Sequence, residues 1–285
     1  MDGTKIQEAP QDVPMLNGSN EMTNDDFINT VWGYYKKNKR KMPWREKTSP
    51  YCIFISEVML QQTQVARVMV KYPLFISKFP NFASLVLTDT TTLLSAWQGM
   101  GYNRRALYLR AAAQMVCTKY NSLLPNDPTL LDELPGIGHA TACSIAAFAF
   151  NIPVVFIETN IRRVFIHSYF SNKENISDAE ILPYVEKTLD KNNPREWYWA
   201  LMDYGAYLAK QIENPNKKSK QYSKQKKFEG SVREVRGGIL KLLLKKQYSL
   251  DELKVAFPDE RLFTALEQME KEGFILYMKK KYCIK

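Results

Sequence analysis

Apolar residues return every three to four positions along most of this chain, with no convincing strand pattern before residue 211. That rhythm predicts packed helices rather than a sheet. Asn24-Asp25-Asp26 has the composition of a helix start, and Phe27, Val31, Trp32, Tyr34 and Tyr35 then share one face. Residues 50–71, PYCIFISEVMLQQTQVARVMVK, read as one strong helical pattern. Further helices are expected over about 81–88, 89–98, 103–120 and 127–133, over the small-residue stretch 139–150, and over 160–170, 177–191 and 197–210. The rhythm breaks at 210–230, where seven lysines meet almost no aliphatic side chains. It resumes in three short helices, 232–246, 249–256 and 260–273, followed by segments 274–277 and 281–284 that can pair as a β-hairpin around Met278-Lys279-Lys280.

The organisation expected from this is a polar, disordered tail over 1–23 and a helical domain over 24–210. A Lys-rich linker or DNA-contact loop over 211–230 and a winged-helix-like unit over 231–285 complete it. Winged helices bind DNA and proteins alike, so that fold chooses no partner.

Composition narrows the function classes. The 285 residues carry 40 basic against 30 acidic side chains, a formal charge of +10 that favours a polyanionic partner. Cys52, Cys117, Cys143 and Cys283 form no CxxC pair, so neither a metal knuckle nor a disulfide framework is indicated. No run approaches the ~20 apolar residues of a membrane span, and no charged-then-apolar signal segment opens the chain. A reducing, cytoplasmic location is expected, nucleoid-associated in a bacterium and nuclear in a eukaryote.

Candidate chemistry gathers at residues 130–166. Leu134-Pro135-Gly136-Ile137-Gly138 lets the backbone turn tightly, and the helix from His139 begins with N–H groups suited to a phosphate. The apolar segment Val154–Ile157 then delivers one acid, Glu158. Earlier, Glu57 lies among Ile53, Phe54, Ile55, Val58, Met59 and Leu60, where desolvation would favour its protonated form. The bland alternative puts Glu57 on a solvent face. Gln61, Gln62 and Gln64 carry amides able to contact bases. Gly99-Met100-Gly101-Tyr102, followed by Arg104, Arg105 and Arg110, fits a tyrosine stacking on a base with phosphates nearby. Alternatively, Gly-Met-Gly is a helix stop and Tyr102 a core residue.

Six stretches together carry a resemblance: PWR at 43–45, SEVMLQQTQV at 56–65, GMGY at 99–102, LPGIGHATA at 134–142, Glu158-Thr159-Asn160, and ALMDYGA at 200–206. In order and spacing they resemble the helix-hairpin-helix DNA glycosylases, and within them the MutY-type adenine DNA glycosylases. The resemblance implies a mainly α, two-lobed fold ahead of the winged-helix-like unit. It implies that Leu134, Gly136, Ile137, Gly138 and His139 grip the DNA backbone, with a sodium or potassium ion at the Leu134 and Ile137 carbonyls. Gln62 and Tyr102 would wedge into the base stack, with Arg104 on the phosphates. Glu57 would protonate the departing base. Glu158 and Asn160 would support the sugar cation, and Arg45 and Asp203 would line or support the base pocket. The partner implied is double-stranded DNA with a mismatched or damaged base, met by a monomer away from any membrane.

The sequence departs from the family pattern in four places. Glu158 stands where the family has an aspartate. The four cysteines that hold an iron–sulfur cluster after the ALMDYGA helix are absent, so no cluster and no required cofactor are expected. The C-terminal unit is too short for the nudix-like domain that reads 8-oxoguanine in longer relatives. Ala140 replaces the lysine of bifunctional relatives, which removes the Schiff-base route. The expectation is a monofunctional glycosylase excising mispaired adenine, opposite 8-oxoguanine or guanine. A thymine or uracil mismatch glycosylase and a non-catalytic damage-recognising protein are the alternatives.

Overall fold

The computed structural model describes residues 22–224 and 227–285, so the expected tail lies almost entirely outside the described residues. The chain opens with α1 (Asn24–Asn38), α2 (Pro43–Glu46), α3 (Pro50–Leu60) and α4 (Val65–Lys78). Next come α5 (Phe82–Val86), α6 (Thr90–Trp97), α7 (Arg104–Lys119), α8 (Pro128–Asp132) and α9 (His139–Phe150). Then follow α10 (Thr159–Tyr169), α11 (Asp178–Thr188) and α12 (Pro194–Gln211). The C-terminal part holds α13 (Val232–Leu243), α14 (Leu250–Ala256), α15 (Arg261–Lys271) and the antiparallel strands β1 (Ile275–Met278) and β2 (Lys281–Ile284). The architecture is mainly α, with three helices and a hairpin at the end. None of the helices among the described residues is long and apolar enough to cross a membrane.

These elements form two compact units, and the boundary falls inside α9. One unit joins residues up to 41 with 146–223. Its core is aromatic: Phe27 of α1 meets Phe165 of α10 at 4.8 Å between ring centroids, and Trp32 meets Trp197 of α12 at 5.5 Å. Helices α10 and α12 approach very closely because Gly205 has no side chain; a Cβ there would fall 2.6 Å from the Asn160 carbonyl oxygen. The carbonyls ending α9 are covered by Arg195, which donates to Phe148 O at 2.5 Å and Ala149 O at 3.1 Å. The basic run after α1 is not simply solvated, since Arg40 pairs with the buried Asp203 and Lys39 with Glu196 at 2.9 Å.

Part of the expected linker is packed into the same unit. Pro215, Asn216 and Ser219 are buried. Asn216 donates its amide to the Thr159 carbonyl at 3.0 Å. Ile176 exchanges backbone bonds with Lys218 and Lys220 at 2.8 and 2.9 Å. Counting lysines missed this, because the anchors are one proline, one asparagine and main-chain groups.

The other unit joins 42–145 with 224–285. The pattern over 50–71 is here two helices, not one. Ser49 caps α3 and Pro50 occupies its first turn, but the helix stops at Leu60 and the chain turns through Gln62, a non-glycine at φ +51°. The last carbonyls of α3 find a side-chain partner instead of a further turn. Arg105 of α7 is buried and its guanidinium donates to Val58 O (2.8 Å), Met59 O (3.0 Å), Thr63 Oγ1 (2.8 Å), Met100 O (3.2 Å) and Gly101 O (3.0 Å). This corrects the expectation that Arg105 faces phosphates. Arg110 is likewise engaged, with Thr88 O and Thr90 Oγ1.

The C-terminal elements carry their own apolar seam, with Val235, Ile239, Leu253, Leu262, Leu266 and Met269 buried. Residues Lys279 and Lys280, at φ +49° and +62°, make the two-residue turn between β1 and β2.

Removing the buried guanidinium would leave several carbonyls without donors. Arg105→Ala is expected to lower the unfolding free energy by about 3 kcal/mol, read from urea denaturation. Arg105→Lys should recover less than half of that, because a lysine has too few donors in the wrong geometry.

Candidate functional site

The turn between α8 and α9 is built from two buried anchors and an exposed rim. Leu134 and Ile137 are buried, whereas Gly136, Gly138, His139 and Ala140 are exposed. Ile137 N donates to Leu134 O at 3.0 Å and closes the turn. Gly136 sits at φ +78°, where a Cβ would fall 2.7 Å from the Tyr108 Cβ and 3.0 Å from its ring, so glycine is required for both reasons. The first bond into α9 runs from Ala142 N to Gly138 O, which leaves the N–H groups just before it outside the helical ladder. Gln61 braces the turn by donating to Gly136 O at 3.1 Å and Thr141 Oγ1 at 3.2 Å. Its amide is therefore spent inside the protein, contrary to the expectation that it reaches bases.

Glu57 is half-buried on α3, between the bland and the sharp sequence readings. Its Oε2 lies 2.7 Å from Ser144 Oγ, and that hydroxyl also lies 2.9 Å from Thr141 O. A hydroxyl has one proton to give. With Glu57 ionised, Ser144 donates to the carboxylate. With Glu57 protonated, the acid donates to Ser144, which turns its proton to Thr141 O. The geometry therefore serves both protonation states. Sequence reading missed Ser144, although a hydroxyl at the head of the apolar run 145–150 was the available signal.

Two exposed residues stand on neighbouring turns. Gln62 and Tyr102 are both non-glycine residues in the left-handed region, at φ +51° and +46°. Arg105 bonds both turns at once. Tyr102 is 40% exposed, so the core-residue alternative does not hold. Arg104 lies with its guanidinium carbon 5.0 Å from the Tyr108 ring centroid. Arg45, half-buried, occupies the single turn of α2.

In the other unit Glu158 is the N-cap of α10. Its Oε1 accepts from Asn160 N at 2.7 Å and Ile161 N at 3.0 Å, and its Oε2 from Asn160 Nδ2 at 3.3 Å. Glutamate is a poor N-cap by length, but here the longer chain folds back onto the first turn. Arg163 donates from Nη1 to Asn160 Oδ1 at 2.8 Å and to Gly205 O at 2.9 Å, which fixes the asparagine amide with its NH2 toward Glu158. Burial pushes the Glu158 carboxyl above the usual carboxylate range. The Ile161 and Asn160 donors and the Arg163 charge pull the other way without overcoming it. No local pattern in the chain assigns Arg163 this part. Asp203 accepts Arg40 Nε at 2.6 Å and Arg40 N at 3.0 Å, which anchors the segment after α1.

Among the described residues, no group of three or more His, Cys, Asp or Glu side chains is arranged to hold a metal ion. All four cysteines are free thiols, two of them buried.

With this geometry in hand, comparison with known proteins is informative. Residues 55–189 match the model of the HhH-GPD superfamily base excision DNA repair protein. The adenine DNA glycosylase of Buchnera aphidicola subsp. Baizongia pistaciae is 36% identical over 192 residues, which cover 66% of this chain and 54% of that protein. The adenine DNA glycosylase of Mycobacterium tuberculosis is 35% identical over 152 residues, covering 53% and 49%. The chain spans about half the length of the curated relatives it matches. Among solved structures, a thermostable thymine-DNA glycosylase aligns with a TM-score of 0.59 at 24% identity, over 64% of this chain and 86% of that one. A non-covalent endonuclease III–DNA complex aligns at 0.56 and 20% identity, over 65% and 87%. These structures share the fold.

The Glu158 network yields a directional test. The Glu158 carboxyl is expected to titrate above the ordinary glutamate range in an NMR titration of selectively labelled protein. Arg163→Ala should move its midpoint further up, since the arginine charge lowers it. Gly205→Ala should cost about 1–3 kcal/mol in denaturant unfolding by forcing α10 off α12.

Proposed function

We propose that this chain, whose residues 55–189 match the model of the HhH-GPD superfamily base excision DNA repair protein, is a monofunctional DNA glycosylase that removes a mispaired adenine, opposite 8-oxoguanine or guanine, from double-stranded DNA. The observation that carries the reading is the Glu57–Ser144 contact. A carboxyl held at 2.7 Å from a hydroxyl of the helix that leaves the exposed turn, in a setting that accepts either protonation state, suits a group that gives up a proton and regains it. The adenine DNA glycosylase relatives support the choice of base.

The chemistry assigns each residue a task. The target base leaves the stack, at a cost of a few kcal/mol, and Gln62 and Tyr102 fill the space. Glu57 protonates the base as the C1′–N bond breaks and its electron pair moves to the base nitrogen. In its ionised form Glu158, with its carboxylate oriented by Asn160 and Arg163, offers negative charge to the oxocarbenium-like sugar. Water attacks C1′ and loses a proton to a carboxylate, giving free base and an abasic site. The exposed N–H groups at Gly138 and His139, with Arg104, hold phosphates. A sodium or potassium ion at the Leu134 and Ile137 carbonyls belongs to the same reading of the turn, and Arg45 lines the base pocket. Ala140 offers no amine, so no covalent DNA adduct forms.

Glu57→Gln and Glu158→Gln should each lower single-turnover excision by roughly 10²-fold or more, consistent with the loss of positioned acid–base or charge assistance, while duplex binding is largely kept. Unchanged excision in both variants would remove the assigned roles. Borohydride should trap no adduct. A panel of mismatched duplexes scored for abasic sites distinguishes adenine from thymine or uracil as the base removed, and excision of none of them would mark a non-catalytic DNA-binding protein.

A further inference from the structure

The C-terminal unit has no role in the reading above, yet it meets the turn that carries Tyr102. Arg233, in the first turn of α13, places Nη1 3.5 Å from the Tyr102 hydroxyl and donates from Nη2 to Lys227 O at 3.2 Å. On its other side the Tyr102 ring has the Arg105 guanidinium carbon 5.7 Å from its centroid. Tyr102 is thus approached by one arginine at its ring and another at its tip, and still keeps 40% of its surface exposed. A second link follows the same line. Glu272, just past α15, forms a two-point pair with Arg236 at 2.9 and 2.5 Å, and its acidity is raised first by that arginine and further by the charge of Arg104.

The helix that a winged unit would lay in a groove does not suit that use here. The solvent face of α15 shows Phe263, Thr264, Glu267 and Glu270 with one cation, Lys271, at its end, and its Gln268 is engaged by Arg236. Acidic side chains on that face repel phosphates. What remains is the edge beside Tyr102.

We propose that Arg233 is a positioning residue for base extrusion: the C-terminal unit holds the Tyr102 hydroxyl so that the ring is set to enter the stack as the target base leaves. The inference rests on the glycosylase reading for the identity of the extruded base, but not for the contact itself. A tyrosine fixed at ring and tip loses less conformational freedom on entering DNA, so more of the stacking energy is available to hold the base out. Its main-chain conformation at φ +46° is already set by the Arg105 bonds to Met100 and Gly101.

The test uses the full chain and a duplex with 2-aminopurine in place of the target adenine, whose fluorescence rises when the base leaves the stack. Wild-type protein should give a clear rise. Arg233→Ala and Tyr102→Phe should each lose about half of it or more, and the double variant no more than either single one, since both remove the same contact. On a duplex where 2-aminopurine lies opposite an abasic site, and is already loosely stacked, all variants should match wild type within about twofold. An undiminished rise with Arg233→Ala, additive losses, or an equal loss on both duplexes would overturn the proposal, the last by marking Arg233 as a simple phosphate contact. Because the readout is extrusion and not cleavage, a wild-type protein that extrudes the base without excising it would leave this inference standing and remove the glycosylase reading instead.

Discussion

The buried guanidinium of Arg105 is the constraint on which the exposed turns depend. A helix that stops at Leu60 leaves carbonyls without partners, and the turns at Gln62 and Tyr102 each hold a side-chain-bearing residue in the left-handed region, a conformation that costs of order 1–3 kcal/mol apiece. Five oxygens from α3, Thr63 and the Met100–Gly101 stretch converge on that one side chain. Burial lowers the pKa of Arg105 to about 10, which still leaves it charged at neutral pH. The charge strengthens each bond in a low-dielectric setting, and the strained turns persist because a single group ties both.

The same device recurs. Arg195 closes α9 by donating to two of its last carbonyls, and Arg163 reaches across to the Gly205 carbonyl of α12. In each case an arginine far from its target in sequence finishes a helix end or links two helices. The short stretch after α12 is anchored in a related way, through Asn216 to the start of α10. Main-chain bonds to Ile176 and the Lys218 ammonium on the Ser171 carbonyl hold the rest of that stretch.

Glu158 shows how one carboxylate serves structure and chemistry together. As an N-cap it satisfies the first N–H groups of α10, and those same bonds favour its ionised form. Burial opposes them and prevails. The methylene that separates this residue from an aspartate is absorbed by folding the side chain back over its own helix. Asn160 then sits between Glu158 and Arg163, so a change at Arg163 or Gly205 reaches the carboxylate through the asparagine.

The sequence by itself determined the helical class, nearly every helix, the terminal hairpin and the glycine turn at 134–138, because these rest on local periodicity and on the conformations that glycine and proline permit. It also singled out Glu57, Glu158, Gln62 and Tyr102. It read 50–71 as one helix because the apolar spacing runs on past Leu60, while the stop is set by Arg105, more than forty positions away. Ser144 beside Glu57, Arg163 on the Gly205 carbonyl, Arg40 on Asp203 and Arg233 at Tyr102 belong to the tertiary structure alone. Each is a polar contact between residues distant in sequence or on different faces, and hydrophobic rhythm carries no record of which donor will find which acceptor.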